Sequence, residues 1–169
     1  MEKVRVIHLK WERHPWDNEV FTKFFGKDHY GIYQVYGDHP IYGEDCLLYI
    51  GRANYQSYSE RMIQHKDLFI SNFQNFTRFY ISYFLKTEDC PYEKWGELID
   101  QCEQVLINSH SPAYNAMSLK GVVEEPKENI IIMNWGNRGC LLPEVSSLRY
   151  SDKYWLDDPY KKGHMQSKE

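Results

Sequence analysis

The chain has 169 residues, of which 42% are hydrophobic and 16% aromatic, a composition that suits about one domain with a substantial core. A net charge of –4 and a pI near 6.0 argue against a basic nucleic-acid-binding module. The four cysteines form no C-x-x-C pair, and no run approaches the roughly 20 apolar residues of a membrane-spanning helix, so we expect a cytoplasmic protein without a membrane partner.

The first third of the chain is predicted to form strands. Residues 3–9, "KVRVIHL", alternate in polarity and predict a short strand or a segment that lies along the core. The aromatic and branched runs 30–36 and 46–51 flank a loop rich in Gly, Pro and Asp, which favours an antiparallel hairpin. Gly31 and Gly51 near the strand ends indicate a close approach to the backbone.

Helices and strands then alternate. Ser57 and Glu60 match a capping box, which predicts a helix start. Residues 78–84 alternate as a third strand, and residues 92–109 carry the strongest helical pattern, which ends before Pro112. Residues 129–133, "NIIIM", favour a buried strand. The order of elements predicts a compact α/β unit.

Some charged residues lie where burial is expected. Glu93, Glu97 and Asp100 fall on the outer face of the long helix, whereas Glu103 projects at the margin of its apolar face. On helix geometry alone, an edge glutamate whose head reaches water is the more common explanation for Glu103.

The shorter helix has a polar pair on the side that is expected to face inward. Arg61 and His65 are four residues apart and share a face, near Tyr58 and Met62. An ordinary partly buried polar pair and a functional pair both remain open at this point.

These residues together resemble the GIY-YIG nuclease family. Two strand motifs are intact, Gly31-Ile32-Tyr33 and Tyr49-Ile50-Gly51. The downstream positions that the family fills are occupied in the same order by Arg52, Arg61, His65, Glu103 and Asn115. The match covers about residues 29–117, and the flanking segments lie outside it.

The resemblance implies a fold and a domain organisation. The fold class is α/β (α+β), with a small three-stranded antiparallel sheet flanked by helices and with N- and C-terminal extensions. Residues 1–28 would form an extension packed on the core, residues 29–120 the nuclease core, and residues 121–169 a C-terminal extension with a mobile tail.

The resemblance also implies a metal-dependent DNA endonuclease. Glu103 would bind one Mg²⁺ or Mn²⁺ ion, because such an ion needs only one or two protein carboxylates. Arg61 would bind the scissile phosphate. Tyr33 is the first candidate for the general base, Tyr49 is the alternative or orients water, and His65 shares the proton transfer or binds phosphate.

Arg52 and Asn115 complete the expected site. Arg52 would add a substrate contact, and Asn115, also assigned to substrate binding, would brace the site more than act in the chemistry. The partner would be DNA, with a homodimer or a partner protein adding affinity to an acidic chain. The alternative is a catalytically silent domain of this kind that binds nucleic acid or protein.

Overall fold

A computed structural model describes residues 4–26, 28–72, 75–115 and 129–150 of the protein. The described residues form one sheet of six strands, two α-helices and three short 3-10 turns. The strands are β1 (Val4–Pro15), β2 (Gly31–His39), β3 (Gly43–Ala53), β4 (Phe76–Phe84), β5 (Asn129–Gly136) and β6 (Glu144–Ser146). The helices are α1 (Tyr58–Asn72) and α2 (Trp95–His110).

The sheet is larger than the predicted one. Its strand order is β3-β2-β4-β1-β5-β6, and the sheet is mixed and curled. The predicted hairpin and third strand are adjacent and antiparallel, but β1 continues the sheet antiparallel to β4 and parallel to β5. The prediction of a three-stranded antiparallel sheet flanked by helices is therefore wrong.

Backbone pairing explains the larger sheet. A three-stranded sheet would leave the outer edge of β4 with unpaired N–H and C=O groups. The alternating strand β1 covers that edge, with Leu9 opposite Phe84, and its other edge pairs with β5, where Ile7 lies opposite Ile132. Alternation in residues 3–9 and the apolar run 129–133 indicated strands at these two places but carried no information about their pairing.

The sheet separates two hydrophobic clusters. One cluster packs against α2 and includes Ile32 and Tyr36 of β2. The other packs against α1 and includes Tyr33 and Val35. Because successive strand residues point to opposite faces, β2 is buried on both sides and carries side chains to both helices.

Both predicted helices are present. The backbone N–H and the hydroxyl of Ser57 each donate to a Glu60 carboxylate oxygen at 2.7 Å, which confirms the capping box before α1. Helix α2 ends where Ser111 adopts a left-handed backbone with φ 46°. Within the described parts of the chain, neither helix is long and apolar enough to cross a membrane.

The central position of β1 makes a prediction about stability. Leu9 is fully buried in β1, whereas its neighbour Lys10 is exposed. We expect Leu9→Ala to lower the free energy of unfolding by about 2–5 kcal/mol, because it leaves a cavity in the core. The matched Lys10→Ala should change it by less than about 0.5 kcal/mol. Urea unfolding measures both, and two small values would contradict a structural role for β1.

Candidate functional site

The two motif glycines make room for tyrosine side chains. A Cβ atom at Gly51 would overlap the ring and hydroxyl of Tyr33 and the ring of Tyr49. A Cβ atom at Gly31, where φ is +142°, would meet the Tyr58 hydroxyl and lie 3.0 Å from the Ser82 carbonyl oxygen. Each glycine therefore permits a close approach that any side chain would block.

Tyr33 lies at the centre of this arrangement. It is fully buried and pairs across the hairpin with Gly51. Its ring centroid is 6.1 Å from that of Tyr49 and 5.8 Å from that of Phe79. Within the described residues its hydroxyl makes no hydrogen bond of ordinary geometry, although the Arg61 guanidinium lies nearby.

Burial controls the protonation of both motif tyrosines. It raises the pKa of Tyr33 well above 10, and the guanidinium of Arg61 offsets only part of that rise. The pKa of Tyr49 is also raised, first by burial and then by the negative charge of Glu103. Both phenols therefore carry their protons at neutral pH.

Helix α1 contributes Arg61 and His65, one turn apart. The Nη1 of Arg61 donates to Gln64 Oε1 at 3.1 Å, and its Nε has no hydrogen bond of ordinary geometry among the described residues. The His65 ring centroid lies 6.3 Å from that of Tyr49. Burial, and after it the positive charge of Arg61, lowers the pKa of His65 to about 4, so this imidazole is neutral at pH 7.

Helix α2 contributes Glu103. This residue lies beside the apolar face of the helix and is buried. Its side chain is only 12% exposed, and its Oε2 accepts a hydrogen bond from Arg52 Nη1 in a salt bridge. Burial raises the pKa of the Glu103 carboxyl, and the Arg52 charge offsets part of that rise. The Arg52 Nε also contacts Asp100 Oδ1 at 3.0 Å.

Asn115 holds the edge strand from outside. Its Oδ1 accepts from the Ile50 N–H at 2.9 Å, and its Nδ2 donates to the Ile50 carbonyl oxygen at 2.8 Å. The side-chain amide thus pairs with β3 as a neighbouring strand would. Asn115 is buried, and both ends of its amide are engaged, so it braces the motif strand.

The structure brings the predicted residues together around β3, which is an edge strand. Two phenols and a helical guanidinium lie on the α1 side, while the Glu103 carboxylate comes from α2 and pairs with Arg52 of β3. Asn115 does not lie among these side chains, because its amide is bonded to the backbone of Ile50 in β3. Sequence reasoning missed Asp100, which was assigned to the outer face; its spacing of three residues from Glu103 was the available signal.

A cavity of about 650 Å³ lies beside the site. Tyr30, Tyr55 and Tyr92 line it together with three glutamates, which include Glu60 and Glu97. Those two glutamates are in the first turns of α1 and α2, where a carboxylate stabilises the helix N-terminus. Helix stabilisation therefore accounts for much of the acidity of this cavity.

The donor set fits one hydrated divalent cation. Among the described residues, no group of three or more His, Cys, Asp or Glu side chains converges to hold a metal ion. Mg²⁺ typically keeps several waters and takes one or two carboxylates together with phosphate oxygens. Glu103 and Asp100, which lie one turn apart on α2, could provide those one or two carboxylates. In this structure both carboxylates are paired with the Arg52 guanidinium.

Comparisons with known proteins add no relative. No protein-family model, curated protein or solved structure matches this chain. The functional assignment accordingly rests on the motif residues and on the cluster they form.

The contact between Asn115 and Ile50 predicts a loss of stability. Asn115→Ala would leave a buried N–H and a buried C=O of β3 without partners, at a cost of about 1–3 kcal/mol for each group. We expect urea unfolding to show that loss. Asn108→Ala, a matched change on α2, removes one partly buried acceptor and should have a smaller effect. Equal effects of the two changes would contradict the bracing role.

The His65 pKa predicts a dependence on pH. An unfolded histidine titrates near 6.5 and folded His65 near 4, so the unfolded chain binds more protons between these values. The contribution of His65 to stability therefore falls as the pH drops from about 6.5 to 4. NMR titration of the imidazole measures the folded value directly.

Arg61→Gln provides the control for that titration. It should raise the His65 pKa, because a neighbouring positive charge is removed, while burial keeps the value below 6.5. His110, whose pKa is lowered by burial without a contribution from Arg61, should not move. An unchanged His65 value in this variant would show that Arg61 and His65 do not interact.

Proposed function

We propose that the protein is a metal-dependent endonuclease that hydrolyses phosphodiester bonds of DNA at the β3 edge. The observation that carries this proposal is the grouping of the motif residues at one edge of the sheet, where the Tyr49 ring lies 6.1 Å from that of Tyr33 and 6.3 Å from that of His65, and where Arg52 pairs with Glu103. Buried polar groups without ordinary partners are rare in folded proteins and need an explanation. Among the described residues the Tyr33 hydroxyl and Arg61 Nε make no hydrogen bond of ordinary geometry, and an attacking water and a phosphate would each provide one.

Arg61 is the phosphate-binding residue in this proposal. A guanidinium stays charged and can bind two phosphate oxygens at once, so it opposes the charge that grows in the transition state. By contrast, Arg78 contacts Asp45 and stacks over Tyr36 at 4.5 Å. Arg78 therefore serves the fold, and the contact with the scissile phosphate is assigned to Arg61.

Proton transfer is assigned to His65. Hydrolysis forms a bond between the water oxygen and phosphorus, releases one water proton, and breaks the bond to the leaving oxygen. At neutral pH the imidazole of His65 is unprotonated and can accept that proton, whereas Tyr33 and Tyr49 retain theirs. The Tyr33 hydroxyl then acts as a hydrogen-bond donor that orients the water or a phosphate oxygen.

Glu103 would hold the divalent cation, Mg²⁺ or Mn²⁺. A bound ion of this kind supplies Lewis-acid stabilisation of charge on the phosphate and on the leaving oxygen. The protein provides a carboxylate that is largely buried and close to two arginines, so its position is well determined. Arg52 contacts the same carboxylate, and 44% of its side chain remains accessible to a phosphate.

Affinity for DNA is expected to be weak and dependent on salt. The whole chain carries a net charge of –4, so long-range attraction to DNA is absent and binding relies on local phosphate contacts. A second copy of the chain or a partner protein would add contacts. Both remain part of the proposal because a single small cleft engages few phosphates.

A plasmid assay tests the proposal. The protein should nick or linearise supercoiled DNA with Mg²⁺ or Mn²⁺. Glu103→Gln and Arg61→Gln should each lower the rate by about 100-fold or more, because each removes transition-state charge stabilisation. Glu97→Gln, an exposed carboxylate on the same helix, is the matched control and should retain the rate.

The outcomes separate the two candidate functions. Equal cleavage by all variants would mean that another site or a contaminant acts. DNA binding without cleavage in the wild-type protein, unchanged in Glu103→Gln, would support the silent binding module in place of the nuclease.

A further inference from the structure

Arg52 is held by two carboxylates of α2 at once. Its Nη1 pairs with Glu103, and its Nε pairs with Asp100 at 3.0 Å. The two acids are three residues apart and therefore lie on the same side of the helix. The guanidinium therefore bridges the two carboxylates, and 44% of the Arg52 side chain remains exposed.

Asp100 is itself fixed by the loop that follows β3. Asn54 Nδ2 donates to Asp100 Oδ1 at 3.0 Å and to the Gly96 carbonyl oxygen at 2.8 Å. The carboxylate that receives Arg52 Nε is therefore oriented by a residue two positions after Arg52. Asp100 is exposed, and pairs of this kind contribute little to folding stability.

Oε2 of Glu103 cannot bind a divalent cation while it accepts the hydrogen bond from Arg52 Nη1. Arg52 Nη1 occupies Oε2 of Glu103, so an ion that binds this oxygen displaces Nη1, and the positive guanidinium repels an ion at either carboxylate oxygen. We therefore expect a cation at Glu103 to weaken or break the Nη1 contact. The Nε contact with Asp100 uses another edge of the guanidinium and is compatible with that displacement.

We propose that Asp100 is a positioning residue that retains Arg52 at the β3 edge when a divalent cation takes Glu103. The freed Nη1 then points to the phosphate that arrives with the cation. This inference rests on the proposed role of Glu103 as the metal ligand. It adds that metal and phosphate binding are coupled through Arg52, and that Asp100 maintains the coupling.

Binding of Mn²⁺ to the full-length protein without DNA tests the competition. Arg52→Gln should lower the dissociation constant for Mn²⁺ by about three- to tenfold, because a competing positive charge is removed. Asp100→Asn should raise it by about threefold, because Arg52 then pairs with Glu103 alone. Glu103→Gln should abolish the site. Isothermal titration calorimetry measures all three, with thermal unfolding as a check on folding.

DNA cleavage tests the positioning role through the sign of an effect. Loss of an acidic charge near a polyanion ordinarily strengthens binding, and Glu97→Gln on the same helix serves as the control for that general effect. If Asp100 positions Arg52, Asp100→Asn should instead raise KM by about threefold or more, with a smaller change in kcat. The KM effect should vanish when Arg52→Gln is already present.

The results distinguish failure of this inference from failure of the proposed function. If Glu103→Gln leaves Mn²⁺ binding unchanged, the assignment of Glu103 as the metal ligand is wrong and both fall. If Glu103→Gln removes the site but Arg52→Gln does not tighten Mn²⁺ binding, only the coupling is overturned. A decrease in KM for Asp100→Asn, equal to that for Glu97→Gln, likewise overturns the positioning role.

Discussion

The packing of the Tyr33 ring over Gly51 is the constraint on which the rest of the site depends. The Tyr33 ring of β2 can pack over the backbone of β3 only because β3 has no side chain at Gly51. With Gly51 in place, the Tyr33 hydroxyl lies against the backbone of the edge strand, on the α1 side of the sheet and near the Arg61 guanidinium. The hairpin, and not a helix, therefore sets where the site forms.

Charge compensation shapes the site around that contact. Glu103 is largely buried, and a buried carboxylate is costly unless a cation accompanies it. Arg52 supplies that cation from the exposed side, while Arg61 acts from α1. Burial of the Tyr33 and Tyr49 phenols keeps them protonated, and burial of the His65 imidazole keeps it neutral. At this edge of an acidic chain, the charges of Arg52 and Arg61 are balanced by those of Asp100 and Glu103.

The residues that resemble the GIY-YIG motif are also the residues that make the close contacts around β3. Without a matching family model or relative, the motif alone is only a pattern of residue types. The structure contributes a reason for each motif glycine and a physical contact for Asn115. It also replaces the small sheet that the resemblance implied with a six-stranded one. Motif geometry is local, whereas sheet size depends on flanking strands outside the motif.

The sequence by itself determined the local features of this protein. Alternation or runs of apolar and aromatic residues located β1 to β5, Ser57 and Glu60 marked the start of α1, and helical spacing singled out Glu103 beside an apolar face. These features depend on neighbours within a few residues.

Only the tertiary structure decided what those elements do together. It placed β1 between β4 and β5, turned Arg52 toward Glu103 and Asp100, and lowered the His65 pKa through burial and a neighbouring charge. The physical reason is the same in each case. Strand partners, ion pairs and desolvation arise between residues that are distant in the chain, and residue periodicity contains no information about which distant groups meet.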